Sequence, residues 1–176
     1  AIEVLAEKQR IILISDKPAW DNKFTLDAIA TNNRWIAESY LNRNGHLYSG
    51  EVLVNKLEPE NLAAIIIINN GMLNLDSATA SFLQNAYNKG TGILYQGLPV
   101  NELAALLPIQ KSNITTSYQG FLVPSPASTN YPMLSSITVN AKDIPPLDYY
   151  YVTAKQGSEV LATINNPQNS PAIVVQ

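Results

Sequence analysis

Four consecutive isoleucines at residues 65–68, inside "AAIIIINN", constrain this chain more than any other feature. Each is β-branched, with a stiff χ1 torsion that crowds a helix, and the run shows no polar alternation, so it predicts a strand buried on both faces. Such a strand needs paired neighbours and a covering layer on each side. "RIILIS" at residues 10–15 has the same character, and "GILYQ" at residues 92–96 reads as the next buried strand.

Between these strands the pattern turns helical. In "DKPAWDNKFTLDAIATNN", Pro18 breaks the first run, Asp21 serves as an N-cap, Phe24, Ala28 and Ile29 share a stripe, and Asn32 and Asn33 end the helix. "RWIAESYL" alternates as a second strand, although residues 35–43 also fit a prolonged helix. Asn44 and Gly45 signal a turn, followed by an irregular connector, "HLYSGEVLVNKLEPENL". "LDSATASFLQNAYNKG" is a helix capped by Asp76 or Ser77 and ended by Gly90, with Leu75, Phe82, Leu83, Ala86 and Tyr87 toward the sheet. The order predicts an α/β three-layer sandwich with a mostly parallel central sheet. After Pro108 the helical stripes stop and prolines gather at residues 124, 126, 132, 145 and 146. "EVLATI" and "PAIVVQ", separated by "NNPQNS", predict a C-terminal β hairpin.

A chain of 176 residues suits one domain, read here as residues 10–176, with residues 1–9 a linker or the end of a preceding β module. Both ends read as cut from something larger. The net charge of -3 and eleven scattered basic residues argue against nucleic acid, whose binding needs clustered cations to neutralise phosphates. The absence of cysteine excludes a disulfide, a thiolate metal site and a cysteine nucleophile within the chain. No apolar run approaches the roughly 20 residues a bilayer span needs, so any membrane attachment would come from segments outside this chain.

In open α/β sheets, ligands gather beyond the carboxyl ends of the parallel strands. That rule selects Ser15 and Asp16, Asn69 and Asn70, and Gln96 and Gly97, with Trp20 as a loop aromatic that either stacks a ligand or covers the end of the core. "SDKPAW" lacks the glycines of a phosphate loop, so no dinucleotide or other cofactor is expected. Asn69 and Asn70 hold the place where a phospho-receiver needs a carboxylate. Asp16 reads as a turn or cap residue and no metal site is expected, since hard cations want several acidic oxygens. His46, the only histidine, reads as a solvent-facing loop residue. "DYYYVT" reads as a strand with tyrosines on both faces, and residues 113–115 match a glycosylation sequon.

Taken in order, "RIILISDKPAWDNKFTLDAIATNNRW", "LAAIIIINNG", "SATASFLQNAYNKGTGILYQG", "LAALLPI", "NYPML", "IPPLDYY" and "GSEVLATINNPQNSPAIVVQ" resemble the class I glutamine amidotransferase-like domains of large bacterial membrane proteins. The resemblance implies a flavodoxin-like fold, a periplasmic setting in the cell envelope and other envelope domains as partners. Enzymes of this class release ammonia from glutamine with a Cys on a strand-to-helix elbow and a later His and Glu. Here the elbow corresponds to "YQGLPVNELA", where Leu98 or Pro99 takes the nucleophile's place and no histidine follows residue 46. The resulting expectation is a non-catalytic domain for protein interaction or ligand sensing. A rival reading is a sugar-type binding or hydrolytic domain, of the trehalose-utilisation kind, using Asp16, Asn69, Asn70 and Gln96. A third is a purely structural spacer.

Overall fold

A computed structural model describes residues 8–112, 116–134, 140–165 and 169–176. The sequon at residues 113–115, residues 166–168 of the expected hairpin's turn-rich segment and most of the expected linker, residues 1–7, lie outside the described residues. The chain divides into two compact units, Ala1–Leu106 and Leu107–Gln176.

The first unit runs β1 (Gln9–Ser15), α1 (Trp20–Ala30), β2 (Trp35–Arg43), β3 (His46–Ser49), β4 (Val52–Val54), β5 (Leu62–Asn69), α2 (Ser77–Asn88) and β6 (Gly92–Gly97), followed by a 3-10 turn at Asn101–Leu103. Its strands form a six-stranded sheet in the order β4-β3-β2-β1-β5-β6. β2, β1, β5 and β6 are parallel, while β3 and β4 are added antiparallel. The two central strands follow their composition: successive residues Ile12, Leu13 and Ile14 are fully buried on β1, and on β5 Ile65 and Ile67 are buried on one face and Ile68 on the other, with Ile66 half-buried. Consecutive strand residues point to opposite faces, so both faces are covered there.

Arg10, at the start of β1, ties three segments together. Its guanidinium makes a two-pronged contact with Glu38 on β2, at 2.6 and 2.7 Å, and donates to the carbonyls of Glu58 and Glu60 at 2.9 and 3.0 Å. Tyr40 donates to the same Glu38 carboxylate at 2.7 Å. The Arg10 bond holds the Glu38 carboxyl below its usual range, outweighing the cost of burial. Burial, with Glu38 beside it, pushes the Tyr40 phenol up to about 12.

The second unit contains β7 (Ile109–Lys111), β8 (Ser117–Pro124), β9 (Leu147–Tyr150), β10 (Val152–Ala154), β11 (Glu159–Asn165) and β12 (Asn169–Val175). A four-stranded antiparallel sheet has the order β12-β11-β8-β9, and β10 pairs with β7 separately. Leu122, Tyr149, Ala162 and Ile164 form its core, with Tyr118 and Tyr151 packed alongside. The rings of Tyr118, Tyr149 and Tyr151 lie 5.5 to 6.0 Å apart. The buried Ser170 hydroxyl, accepting from the Val152 N–H and donating to the Tyr150 carbonyl at 3.3 Å, ties β12 to the bend between β9 and β10.

This architecture overturns the expected three-layer α/β sandwich with a mostly parallel sheet. Parallel pairing is confined to four strands of the first unit, the described residues hold two α-helices, and the second unit is antiparallel β. Two of the three apolar runs mark central strands buried along most of their length, but burial of a strand does not fix how many helices a chain supplies. The supposed irregular connector is a hairpin: Asn44 and Gly45 both adopt positive φ, 51° and 90°, as a two-residue turn requires, and β3 pairs back on β2. β6 is a half-exposed edge strand with Leu94 61% exposed, so "GILYQ" is not buried. In α1 the inward residue is Ile29, while Phe24 and Ala28 face outward, and Ala19 rather than Asp21 occupies the cap. In α2, Asp76 caps by accepting from the Thr79 N–H, and Tyr87 is exposed. The hairpin strands β11 and β12 pair with each other within the antiparallel sheet of the second unit.

Arg10→Ala is expected to lower stability by about 2 kcal/mol, because it leaves the part-buried Glu38 carboxylate without its cation. The measurement is a lower urea midpoint with an unchanged slope. Arg10→Lys, which keeps the charge and loses the fork, should recover less than half of that loss.

Candidate functional site

β1 and β5 are neighbours, yet the chain leaves β1 through α1 toward β2 and leaves β5 through α2 toward β6. The connections diverge, which makes the carboxyl ends of the two strands the switch point at which open α/β sheets place ligand crevices. Register aligns the edge: Ser15 pairs with Ile68, and Asn69 pairs with Gly97. The residues expected at this crevice are therefore brought together, and the hydrogen bonds state what each does.

Asp16 is buried and accepts from Asn70 Nδ2 at 2.9 Å and from the Met72 N–H at 2.8 Å. Burial pushes its carboxyl up, but these hydrogen bonds outweigh burial and hold it below its ordinary value. Ser15 Oγ accepts from Asn22 Nδ2 at 2.8 Å, and the same amide donates to the Lys17 carbonyl at 2.9 Å. Asn69, also buried, uses its whole amide: Oδ1 accepts from the Gly71 and Leu73 N–H groups at 2.8 and 3.1 Å, and Nδ2 donates to Tyr95 and to the Leu98 carbonyl at 3.0 and 2.6 Å. Tyr95 donates to that carbonyl as well, at 2.5 Å, and burial pushes its phenol up to about 12. Gln96 Nε2 reaches Asp21 at 2.9 Å.

Gly97 has φ +105°, and a Cβ there would sit 1.9 Å from the Asn69 carbonyl oxygen. Only glycine lets β6 close on β5 at this point. Beyond it the elbow carries Leu98, Pro99 and Val100 into the short 3-10 turn, with Pro99 buried. Trp20 is 72% exposed and stacks on Phe24 with ring centres 6.0 Å apart, so it does not cover the end of the core. Met72, whose N–H holds Asp16, is 74% exposed on the opposite loop. His46 lies on β3 rather than in a loop, with Nδ1 3.5 Å from the Asp76 carboxylate that caps α2.

Among these groups no nucleophile faces a base. Ser15 meets an amide, Asp16 is engaged by two donors, and His46 meets a capping carboxylate. Among the described residues no group of three or more His, Asp or Glu side chains is placed to share a metal ion. Sequence reasoning missed Asn22, Tyr95 and Asn42. Asn42, at the end of β2, accepts from the Asn74 N–H at 3.2 Å through a buried amide. The signal for Asn42 is its place near the carboxyl end of a parallel strand, two residues before the Asn44-Gly45 turn. A separate groove of about 350 Å³ runs along α2, lined by Leu47, Leu57, Phe82, Asn85, Ala86 and Lys89, and none of the expected residues lines it.

Two substitutions test this account. Gly97→Ala is expected to cost on the order of 3 kcal/mol or more, from the clash and the left-handed backbone together. Asp16→Asn should cost about 2 kcal/mol at neutral pH, the value of charge-assisted hydrogen bonds to a buried group. Because the folded Asp16 binds its proton less readily than the unfolded one, this advantage is complete above the ordinary carboxylate range and vanishes as pH falls through the folded value. Urea midpoints of wild type and variant should converge in acid; a pH-independent gap would show that the charge is not involved.

The chain matches no protein-family profile and no curated protein sequence.

Proposed function

We propose that this chain acts by binding, as a non-catalytic domain serving protein interaction or ligand sensing in a bacterial envelope protein. The envelope setting rests on the resemblance to amidotransferase-like domains of bacterial membrane proteins. The observation that carries the binding reading is the engagement of Asp16 and Asn69. Both polar groups at the carboxyl ends of the central strands are spent on holding the loop at residues 70–73 and the residue 98 carbonyl. A carboxylate held ionised by two donors is a poor proton acceptor, and no general base stands beside Ser15. Around these closed hydrogen bonds the surface is apolar at Trp20 and Met72, the composition of a contact surface more than of a reaction centre.

The purified chain should release no more ammonia from glutamine than a boiled control; release above that level defeats the non-catalytic reading. A thermal-shift panel of sugars, amino acids and divalent metals separates the two forms of binding, because a ligand selective for the folded state raises its apparent stability. No shift is expected with the panel. A shift with sugars would move the assignment to the small-molecule reading and away from protein interaction.

A further inference from the structure

We infer that the outward face of α1 is a self-association surface and that its partner is a second copy of this chain, bound antiparallel about a two-fold axis at Phe24. The inference names a partner for the interaction reading above and rests on it. Its starting observation is an inverted helix: α1 turns Ile29 inward and leaves Trp20 72% and Phe24 62% exposed, with Ala28 exposed one turn further on. Positions 20, 24 and 28 stand four apart and lie along one stripe of a helix. Leu94, 61% exposed, extends the apolar surface on the sheet face that Gln96 shares, and Gln96 bonds Asp21 in the first turn of α1. Adjoining exposed aromatics of this kind mark an interaction site.

What selects a second copy is that the stripe complements itself. In an antiparallel pair with Phe24 on the axis, the large Trp20 of each copy comes opposite the small Ala28 of the other, so the two bulky rings and the two gaps coincide. On one flank the charges match as well, while Asp21 on the other is bonded by Gln96 of its own chain. Lys23 and Asp27 lie on the same flank of the stripe, at 100° per residue, and in this arrangement Lys23 of one copy comes alongside Asp27 of the other. Within one chain the pair is 2.5 Å apart, with both side chains 61% exposed. An exposed pair of this sort holds weakly and re-pairs across an interface at little cost. The surface is small, so the dimer is a weak and concentration-dependent one.

Sedimentation velocity over a concentration series should show a monomer–dimer equilibrium. Phe24→Glu, which places like charges on the axis, should abolish the dimer. Lys23→Glu should weaken it about fivefold at low salt, and the double change Lys23→Glu with Asp27→Lys should restore it. Circular dichroism melts confirm that each variant folds. Independently of any variant, zero-length carbodiimide coupling of heavy-nitrogen-labelled copies mixed with unlabelled ones should yield mixed-isotope peptides joining Lys23 to Asp27. A monomer at the highest soluble concentration overturns the inference and leaves the glutaminase result, and so the non-catalytic reading, standing. A dimer insensitive to Phe24→Glu, or one without mixed Lys23–Asp27 peptides, places the contact elsewhere and overturns it too.

Discussion

The paired central strands β1 and β5 are the constraint from which the first unit follows. β1 is buried on both faces and β5 over most of its carboxyl half, and burying each such apolar side chain contributes about 1.5–3 kcal/mol relative to leaving it in water. Parallel strands cannot be joined by a tight turn, so each must be followed by a crossover long enough to return the chain to the opposite end of the sheet. α1 and α2 are those crossovers, and they diverge because β2 and β6 lie on opposite sides of the central pair. The parallel part of the sheet order and the alignment of Ser15, Asn69 and Gly97 at one edge descend from this pairing.

The crevice then inherits a problem that explains its chemistry. Strand ends that are still buried leave backbone groups away from water, and an unpaired buried amide is costly. Asn69 and Asp16 solve it by accepting the N–H groups of residues 71, 72 and 73, and Asn69 also satisfies the carbonyl of residue 98. Side chains committed in this way brace the loops that follow the strands. The turn at Gly97 adds a geometric form of the same economy, with its backbone pressed against Asn69 where no side chain fits.

How much of this was legible varies with the physics of each element. β1, β5 and α2 could be read directly, because apolar runs and a 3.6-residue stripe leave marks in composition, whereas the half-exposed β2 fitted a prolonged helix as well. β3 and β4 are too short to show a pattern, although Asn44-Gly45 announced their turn. α1 was misread because apolar residues occupy both of its faces, and sequence does not say which face meets a sheet. The strand-end residues were placed at one edge by a general rule about parallel sheets. Their partners were not, since Asn22, Asn42 and Tyr95 reach the crevice only through contacts made in three dimensions.

By itself the sequence determined the existence of buried central strands, the lack of thiol chemistry and the absence of any histidine after residue 46. These follow from side-chain shape and from functional groups that are present or missing, which need no neighbours to be read. Only the tertiary structure decided that the chain forms a mixed sheet and a separate antiparallel unit, that Trp20 and Phe24 face outward, and that Asp16 and Asn69 are already occupied. Burial and hydrogen-bond satisfaction are properties of surroundings, and the surroundings of these residues come from segments dozens of positions away.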